Sequence, residues 1–393
     1  MSEPEQSTGV WRELGLNVSA VQDLRGRVAH AIGKGPLPSV QIALARHGRL
    51  ALFETFGEGD CDTRYNIFSC TKPLVAAAIW RLMGEGALDI TRPVSGYIPS
   101  FAANGKQAVT VEQVLCHTAG FPQAPMAEPH WWTREGRLQQ MADWFLAWES
   151  GSRMEYHALS GHWVLAELIE VASGVDYRQY IQGAITGPLG VPGLALGGEN
   201  ANAGKIAKLG HVGDSPTADE LAAVFGRAVD IPDSRDDGLL IFNEPRVRAL
   251  GIPGGGAVAT AADVALFYQG LLQNTGNTFD EAVLADALGR VRVDHADPIT
   301  GIAANRGLGV VIAGDGPEKV YRGMGQRVSA RAFGHQGVGG QLAWGDPQTG
   351  LSFCLLTNGL DVNPIRSARF GSSVNNRAGA CVPAGQRGAE AAH

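Results

Sequence analysis

Hydrophobic residues near the start of the chain recur at the spacing of an amphipathic helix. Four of them would share one face of the segment 18–33: Val21, Leu24, Val28 and Ile32. Strand-favouring residues then fill 39–46 and 49–56, and the glycine of the intervening His47-Gly48 pair allows a tight turn. The pattern therefore predicts a helix followed by a β-hairpin.

Two further strands are predicted near the other end of the chain. Segments 341–344 and 351–357 favour strands, and the turn-rich residues 346–350 join them. Residues 308–313 add a shorter strand-like stretch. Strands from both ends of the chain could thus share one antiparallel sheet, whereas the tail 371–393 is expected to be frayed.

Helical patterns dominate the long region between these strands. Six segments carry them: 71–84, 111–116, 138–148, 161–173, 218–229 and 261–272. Periodic apolar positions over so much chain predict a helical insertion rather than a linker. The fold class expected from this pattern is α+β, with an antiparallel sheet built from the two chain ends.

Composition and charge narrow the classes of function. Hydrophobic residues make up 45% of the 393 positions and charged residues only 18%, which is typical of a globular protein large enough to be an enzyme. The 32 basic and 39 acidic residues give a net charge of −7, which disfavours nucleic acid as a partner. No uninterrupted apolar run reaches the length of a membrane span, so none is expected.

The N-terminal residues and the cysteines bear on the compartment. Residues 1–11 are polar and acidic and lack the basic start and apolar stretch of a secretory signal, so a cytoplasmic location is expected. The five cysteines show neither C-x-x-C spacing nor a matching histidine cluster. We therefore expect structural thiols and no metal site.

The strongest local motif is Ser69-Cys70-Thr71-Lys72, followed by Pro73 and an apolar run. Proline is tolerated in the first turn of a helix and residues three apart share a helix face, so the Ser69 hydroxyl is predicted beside the Lys72 ammonium. Burial lowers a lysine pKa towards neutrality, where the amine can activate a nucleophile. The structural alternative is a helix N-cap with a surface lysine.

A tyrosine is the second candidate for chemistry. Tyr156-His157-Ala158 stands shortly before the helix-like segment 161–173. A phenol becomes a useful general base when a lysine ammonium lies against its oxygen, because each partner makes the charged form of the other accessible. Packing against the helix is the structural alternative for Tyr156.

A glycine-rich stretch supplies the third candidate, His335-Gln336-Gly337-Val338, just before a predicted strand. Glycine allows a backbone to approach a ligand closely. The backbone N–H of Val338 could then be one oxyanion donor, with the N–H of Ser69 as the other. A turn or β-bulge with a surface histidine is the structural alternative.

In this order and spacing, these segments resemble the serine β-lactamase and penicillin-binding-protein superfamily, in particular its class C-like branch. Three motifs carry the likeness: Ser69-x-x-Lys72 for the nucleophile, Tyr156-His157-Ala158 at the family's Tyr-x-Asn, and His335-Gln336-Gly337 at its Lys-Thr-Gly or His-Thr-Gly. Segments 114–121 and 254–263 add diffuse similarity. The resemblance covers nearly the whole chain.

The resemblance implies both fold and mechanism. The fold would be β-lactamase/transpeptidase-like, with an α/β domain from 1–60 and 290–393, a mainly helical domain from 61–289, and the active site at their interface. A carbonyl would be attacked by the serine, and water would then release the covalent acyl-enzyme. No metal or organic cofactor is implied.

Proton transfer in such a site is implied to involve Lys72 and Tyr156. The two groups would shuttle the proton of Ser69 between nucleophile and leaving group. A tightly coupled pair titrates as a unit, so the sequence leaves open which of the two is the resting base.

Two departures from the family pattern bear on the substrate. Ala158 replaces the asparagine that helps β-lactam-recognising members hold a side-chain amide, and His335 replaces the lysine that would attract the substrate carboxylate. Family VIII carboxylesterases share such changes, so the resemblance implies a small-molecule ester of a short acyl chain. Trp131, Trp132 and His157 are candidates for an apolar substrate pocket.

Alternatives of two classes remain open. A D-amino-acid peptidase or amidase, or a weak β-lactamase, would use the same nucleophile, and some D,D-peptidases carry a histidine in the third motif as His335 does here. A non-catalytic penicillin-recognising sensor would keep the fold without turnover. A covalent adduct on Ser69 would separate an enzyme from a sensor.

Overall fold

The computed structural model describes residues 3–227 and 235–383 of the chain. Its helices, in chain order, are α1 (Glu3–Glu13), α2 (Val18–Lys34), α3 (Lys72–Gly84), α4 (Val111–Leu115), α5 (Arg134–Asp143), α6 (Ser160–Ser173), α7 (Tyr177–Ile181), α8 (Ala218–Phe225), α9 (Pro245–Leu250), α10 (Ala261–Gln273), α11 (Glu281–Gly289) and α12 (Pro364–Ala380).

The strands of the described residues are short at the centre of the chain and longer at its ends. In chain order they are β1 (Ser39–Arg46), β2 (Arg49–Gly57), β3 (Tyr65–Asn66), β4 (Ala195–Leu196), β5 (Gly210–Val212), β6 (Ala257–Ala259), β7 (Val311–Ile312), β8 (Phe333–Gly337), β9 (Gln341–Asp346), β10 (Leu351–Thr357) and β11 (Gly359–Asp361).

A six-stranded antiparallel sheet in the order β2-β1-β10-β9-β8-β7 is the core of the fold. Its second strand, β1, pairs with β2 on one side and with β10 on the other, so that Val40 stands opposite both Phe56 and Thr357. This pairing joins the N-terminal hairpin to the C-terminal strands. The single sheet predicted from the two chain ends is confirmed.

Helices cover both faces of the sheet. Successive side chains of a strand point to opposite faces. In β1, Val40, Ile42 and Leu44 join the hydrophobic cluster that includes side chains of α2 and α12, whereas Ala43 and Ala45 join the cluster that includes α3, α6 and α10. All eight residues of β1 are buried, as expected for a strand enclosed between two helical layers.

The C-terminal segment differs from the expectation of a frayed tail. Residues 371–380 continue α12, and Phe370, Val374 and Ala378 are buried in the cluster against the sheet. Positions four apart form one stripe on a helix, and this stripe is too narrow to stand out among the surrounding glycine, serine and asparagine residues. Residues 384–393 lie outside the described residues.

Several boundaries differ from the predicted ones. The helix predicted over 138–148 begins earlier and ends earlier, as α5, because Thr133 caps its first turn and Trp144 has extended backbone. The strand predicted over 308–313 is reduced to the two residues of β7. The helix predicted over 218–229 corresponds to α8, and its last two residues lie outside the described part of the chain.

Most of the middle of the chain is helical, but one of its helices lies on the sheet. The strands of the large sheet come from 39–57 and 311–357. Gln269 of α10 donates to the carbonyl oxygen of Ala45 in β1, which fastens that helix to the sheet. The division into separate domains, with 61–289 as one of them, stays a prediction. None of the described helices is long and apolar enough to cross a membrane.

Replacing Val374 with aspartate tests whether α12 belongs to the core. Val374 is fully buried, so an unpaired carboxylate there would be desolvated, and we expect Tm to fall by about 5 °C or more. Ala368→Asp, on the exposed side of the same helix, should change Tm by less than about 2 °C. Equally small shifts in differential scanning calorimetry would contradict the placement of α12.

Candidate active site

Ser69 lies in a 3₁₀ turn, Phe68–Thr71, immediately before α3. Phe68 has a φ of +45°, a left-handed conformation that is strained for a non-glycine residue. Its ring packs edge-to-face on Phe242, with 5.3 Å between ring centroids. Ser69 itself stays partly exposed and lines a cavity. The strained turn therefore presents the serine hydroxyl at the start of a buried helix.

The lysine of the motif is fully buried beneath this serine. Its Nζ lies 3.0 Å from Ser69 Oγ and donates to the carbonyl oxygens of Ala158 and Gly254, each at 2.7 Å. Within the described residues Lys72 has no carboxylate partner. Desolvation and, to a smaller extent, repulsion from Arg306 hold the pKa of Lys72 well below its usual range.

A neutral lysine amine fits these contacts. Its two N–H groups are enough for the two carbonyl oxygens, and its lone pair is then free to accept the proton of the Ser69 hydroxyl. The structural alternative of a surface lysine is wrong, because Lys72 has no exposed side-chain surface. The start of α3 thus places a candidate proton acceptor, Lys72, beside a candidate nucleophile, Ser69.

Tyr156 approaches the same serine from a distant part of the chain. Its hydroxyl donates to Ser69 Oγ at 2.9 Å. Two basic side chains flank its ring, with Lys72 Nζ at 5.0 Å and Arg306 Cζ at 5.3 Å from the ring centroid. Burial raises the pKa of Tyr156 to about 12, although the hydrogen bond to Ser69 and the charge of Arg306 act in the opposite direction.

Two buried histidines hold the segment that carries Tyr156. The backbone N–H of His157 donates to His117 Nδ1 at 3.1 Å, and His157 Nε2 accepts from the backbone N–H of Phe121, also at 3.1 Å. His157 Nδ1 must then donate to the carbonyl oxygen of Glu155, at 2.7 Å. Burial lowers the pKa of His157 to about 4, so the ring is a neutral support for its neighbour.

His335 is also buried and neutral. Its Nδ1 lies 2.6 Å from the carbonyl oxygen of Gln336, which can only accept, so Nδ1 carries the proton. The lone pair on its Nε2 faces Nη1 of Arg306 at 3.4 Å. Desolvation and the charge of Arg306 lower the pKa of His335 well below its usual range. The structural alternative, in which His335 is a surface histidine, is therefore wrong.

Strand β8 passes close to the 3₁₀ turn that carries Ser69. The thiol of Cys70 donates to the carbonyl oxygen of His335 at 3.1 Å. A Cβ at Gly337 would lie 2.8 Å from the carbonyl oxygen of Ile67, so only glycine fits there. Val338 follows in a short 3₁₀ turn and lines the same cavity as Ser69. The role of Val338 as an oxyanion donor stays a prediction.

The three predicted motifs meet at one cavity of about 320 Å³. Its predicted lining residues are Ser69, Tyr156, His335, Gln336, Gly337 and Val338. Lys72 lies beneath the floor, in contact with Ser69. The arrangement places a serine hydroxyl, two groups that can exchange its proton and an open space for a substrate in one location.

The cavity beside Ser69 is not the predicted tryptophan pocket. Trp131, Trp132 and His157 do not line this cavity. Trp131 is buried in the core and packs edge-to-face on Trp132, with 5.6 Å between ring centroids. Trp132 also lies under the guanidinium of Arg246, 4.8 Å from its ring centroid. The apolar faces of these rings are thus occupied by the protein's own side chains.

Sequence reasoning missed Arg306, which lines the cavity beside Tyr156. Its side chain is only 8% exposed. The sequence gives no sign that one arginine in a glycine-rich segment is buried. A weak signal exists, since the residue precedes the strand-like stretch 308–313. Arg306 is thus the main addition that the structure makes to the site.

Comparison with known proteins identifies this arrangement. Residues 24–372 match the Beta-lactamase family. The chain belongs to the beta-lactamase family. It is 28% identical over 316 residues to Esterase/beta-lactamase LipL of Mycobacterium tuberculosis, and the match spans 76% of this chain and 70% of LipL.

Solved structures agree with this assignment of the fold. A penicillin-binding-protein homologue from Caulobacter crescentus superposes with a TM-score of 0.72 at 24% identity, covering 92% of this chain and 99% of its own. A family VIII carboxylesterase superposes with a TM-score of 0.73 at 21% identity, covering 93% and 99%. The predicted β-lactamase/transpeptidase-like fold is confirmed.

Gly254 supplies one of the two carbonyl oxygens that accept from the lysine amine in this beta-lactamase-family site. A Cβ at position 254 would lie 2.9 Å from the carbonyl oxygen of Ala158, which is the other acceptor of Lys72. Gly254→Ala should therefore displace these acceptors and slow the labelling of Ser69 by a fluorophosphonate by roughly 10-fold or more. Gly26→Ala, where an added Cβ meets nothing within 4 Å, should label at the wild-type rate. Equal rates for both variants would contradict this role.

Proposed function

We propose that this beta-lactamase-fold hydrolase is a serine carboxylesterase that cleaves carboxylic esters of short acyl chains through a covalent acyl-enzyme on Ser69. One observation carries the proposal. Ser69 Oγ lies between Lys72 Nζ at 3.0 Å and the Tyr156 hydroxyl at 2.9 Å, and all three stand at the wall or floor of a cavity.

Acylation would begin with transfer of the Ser69 proton to the coupled pair of Lys72 and Tyr156. The serine oxygen attacks the ester carbonyl carbon, and the C–O bond to the alcohol then breaks. The alcohol leaves with the proton that the pair took from the serine. Because the pair both removes and returns this proton, one site serves as general base and then as general acid.

Deacylation would reverse these roles with water in place of the alcohol. Water loses a proton to the pair and attacks the acyl carbon, and Ser69 recovers its proton as the carboxylic acid leaves. The backbone N–H groups of Ser69 and Val338 are the proposed donors to the oxyanion in both steps. Their placement at one cavity supports this assignment.

The cavity supports an ester as the substrate. Its volume of about 320 Å³ is at the lower end of the range for small-molecule pockets. Ile302, Val311 and Val338 give it apolar walls. Position 158 offers no side-chain amide, and His335 is neutral, so the groups that would bind a β-lactam are absent from both positions.

The relatives favour the same activity. The name Esterase/beta-lactamase LipL joins two reactions that a serine acyl-enzyme can perform, and a structural neighbour is described as a family VIII carboxylesterase. Because the name of LipL includes beta-lactamase, a weak β-lactamase activity is the second candidate for this chain. A comparison of ester, β-lactam and amide substrates separates a D-amino-acid amidase and a non-catalytic sensor from the esterase.

A comparison of three substrates tests the reaction class. We expect kcat/KM for p-nitrophenyl butyrate to exceed that for nitrocefin and for D-alanyl p-nitroanilide by about 100-fold or more, because the site lacks the amide and lysine partners of β-lactams. Turnover of the anilide alone would overturn the esterase proposal. Failure of all three, with no adduct on Ser69 in mass spectra, would indicate a sensor.

Single substitutions test the assigned roles. Ser69→Ala removes the nucleophile and Tyr156→Phe removes the phenolic hydroxyl, so each should lower kcat by at least roughly 100-fold. Tyr97→Phe, at a tyrosine that does not line the cavity, is the control and should retain wild-type kcat. Near-wild-type turnover by either site variant would refute the mechanism.

A further inference from the structure

Arg306 is a buried cation with few partners. Its side chain is 8% exposed, its Nη1 faces His335 Nε2 at 3.4 Å, and its Nε is buried without a hydrogen-bond partner. Within residues 3–227 and 235–383 it forms no ion pair with a carboxylate, although Asp297, which lines the same cavity, acts from a greater distance to raise the pKa of Arg306. Burying a charge without a directly paired counter-charge is costly, so such a group needs a functional explanation.

The backbone fixes this arginine in place. Its N–H donates to the carbonyl oxygen of Val293 at 2.9 Å, and its carbonyl oxygen accepts from the N–H of Arg292 at 2.8 Å. On its other side the residue forms a β-bridge with Val311 of β7. The guanidinium, held by this pairing, lies 5.3 Å from the ring centroid of Tyr156.

The histidine of the third motif cannot supply a positive charge here. His335 gives its Nδ1 proton to the carbonyl oxygen of Gln336, and its Nε2 lone pair faces Arg306. A second proton on Nε2 would point at a guanidinium. His335 therefore stays neutral, and the cation beside it in the cavity wall is Arg306.

We infer that Arg306 is a positioning residue of the active site, whose guanidinium takes over the charge missing from the third motif and stabilises the phenolate form of Tyr156. The inference rests on the proposed function, because it assigns Arg306 to the proton transfer from Ser69. The phenolate is in turn the negative charge that the buried arginine lacks.

Among the described titratable groups around Tyr156, Arg306 is the permanent cation. The titratable groups that face it from the surrounding elements are Cys70, Lys72, His117, Arg306 and His335. Burial raises the pKa of Cys70 to about 12 and holds the pKa values of His117 and His335 well below their usual range. The thiol and both imidazoles are thus neutral near pH 7.

The charge of Arg306 shifts the pKa values of Tyr156 and Lys72, the two members of the proton-transfer pair, in the same direction. A neighbouring cation stabilises the phenolate of Tyr156 and destabilises the ammonium of Lys72, so Arg306 lowers the pKa of each. Removing the charge raises both values. The pH at which the base becomes active therefore rises, whichever of the two residues loses the proton first.

The test is the pH dependence of kcat/KM for p-nitrophenyl butyrate in wild type, Arg306→Met and Arg306→Lys. The methionine variant keeps the apolar stem and removes the charge, whereas the lysine variant restores a charge. Arg331→Met is the matched control, because Arg331 is exposed and does not line the cavity. Labelling of Ser69 by a fluorophosphonate over the same pH range gives a readout that needs no ester turnover.

For Arg306→Met we expect the acid-side inflection to move up by about one pH unit or more. The value of kcat/KM at pH 7 should then fall by roughly 10-fold or more and recover as the pH passes the new inflection. Arg306→Lys should restore most of the wild-type profile, and Arg331→Met should leave it unchanged. Labelling of Ser69 should show the same shift.

Three results would overturn the inference. A loss in Arg306→Met that is equal at every pH would indicate packing alone. A rise in KM confined to an ester with a free carboxylate, such as mono-p-nitrophenyl glutarate, would indicate a substrate-binding arginine. Ester turnover with an unshifted inflection would leave the esterase proposal intact and refute the role of Arg306.

The proposed function fails by a different result. If wild type labels Ser69 but cleaves no ester, the esterase proposal is wrong, and the pH shift in labelling still decides the role of Arg306. If Ser69 is neither labelled nor acylated at any pH, both the esterase proposal and the inference are overturned.

Discussion

The burial of the Lys72 amine without a counter-ion is the constraint on which the rest of the site depends. An ammonium in that position would be desolvated and repelled by Arg306, so the favoured form is an amine with a free lone pair. Two carbonyl oxygens, from Ala158 and Gly254, take its N–H groups. The remaining direction points at Ser69 Oγ, so the amine is placed to accept the serine proton.

That constraint requires three segments that are distant in the chain, those carrying Ser69, Tyr156 and His335, to be held rigidly. The serine lies at the start of a helix whose residues are almost all buried, and Cys70 ties this helix to β8 of the main sheet. The absence of a side chain at Gly337 lets β8 approach the carbonyl oxygen of Ile67. Placing the reacting groups on packed elements limits their movement, which proton transfer over about 3 Å requires.

Local sequence patterns were enough to predict many elements of this architecture, but not the contacts between segments that are distant in the chain. The spacing of Ser69 and Lys72 is enough to place both on one face of a helix, and the two hairpins follow from alternating residues and turn signals. The contact of Tyr156 with Ser69 joins positions 87 residues apart, so only the resemblance to a family indicated it. Whether Trp131 lines a substrate pocket depends on which side chains pack against its ring, and no pattern along the chain contains that information.

The charge of the site follows the chemistry that it is proposed to perform. An ester begins without net charge, but the alkoxide, the tetrahedral oxyanion and the product carboxylate are all negative. Arg306 lines the cavity as a cation, and Lys72 beneath its floor becomes one when it takes the Ser69 proton; neither forms an ion pair with a carboxylate in the described part of the chain. Positive charge of this kind would stabilise anions formed during the proposed reaction more than the neutral substrate, and the difference would lower the barrier. His335, being neutral, adds no charge of its own and instead orients the guanidinium through its Nε2.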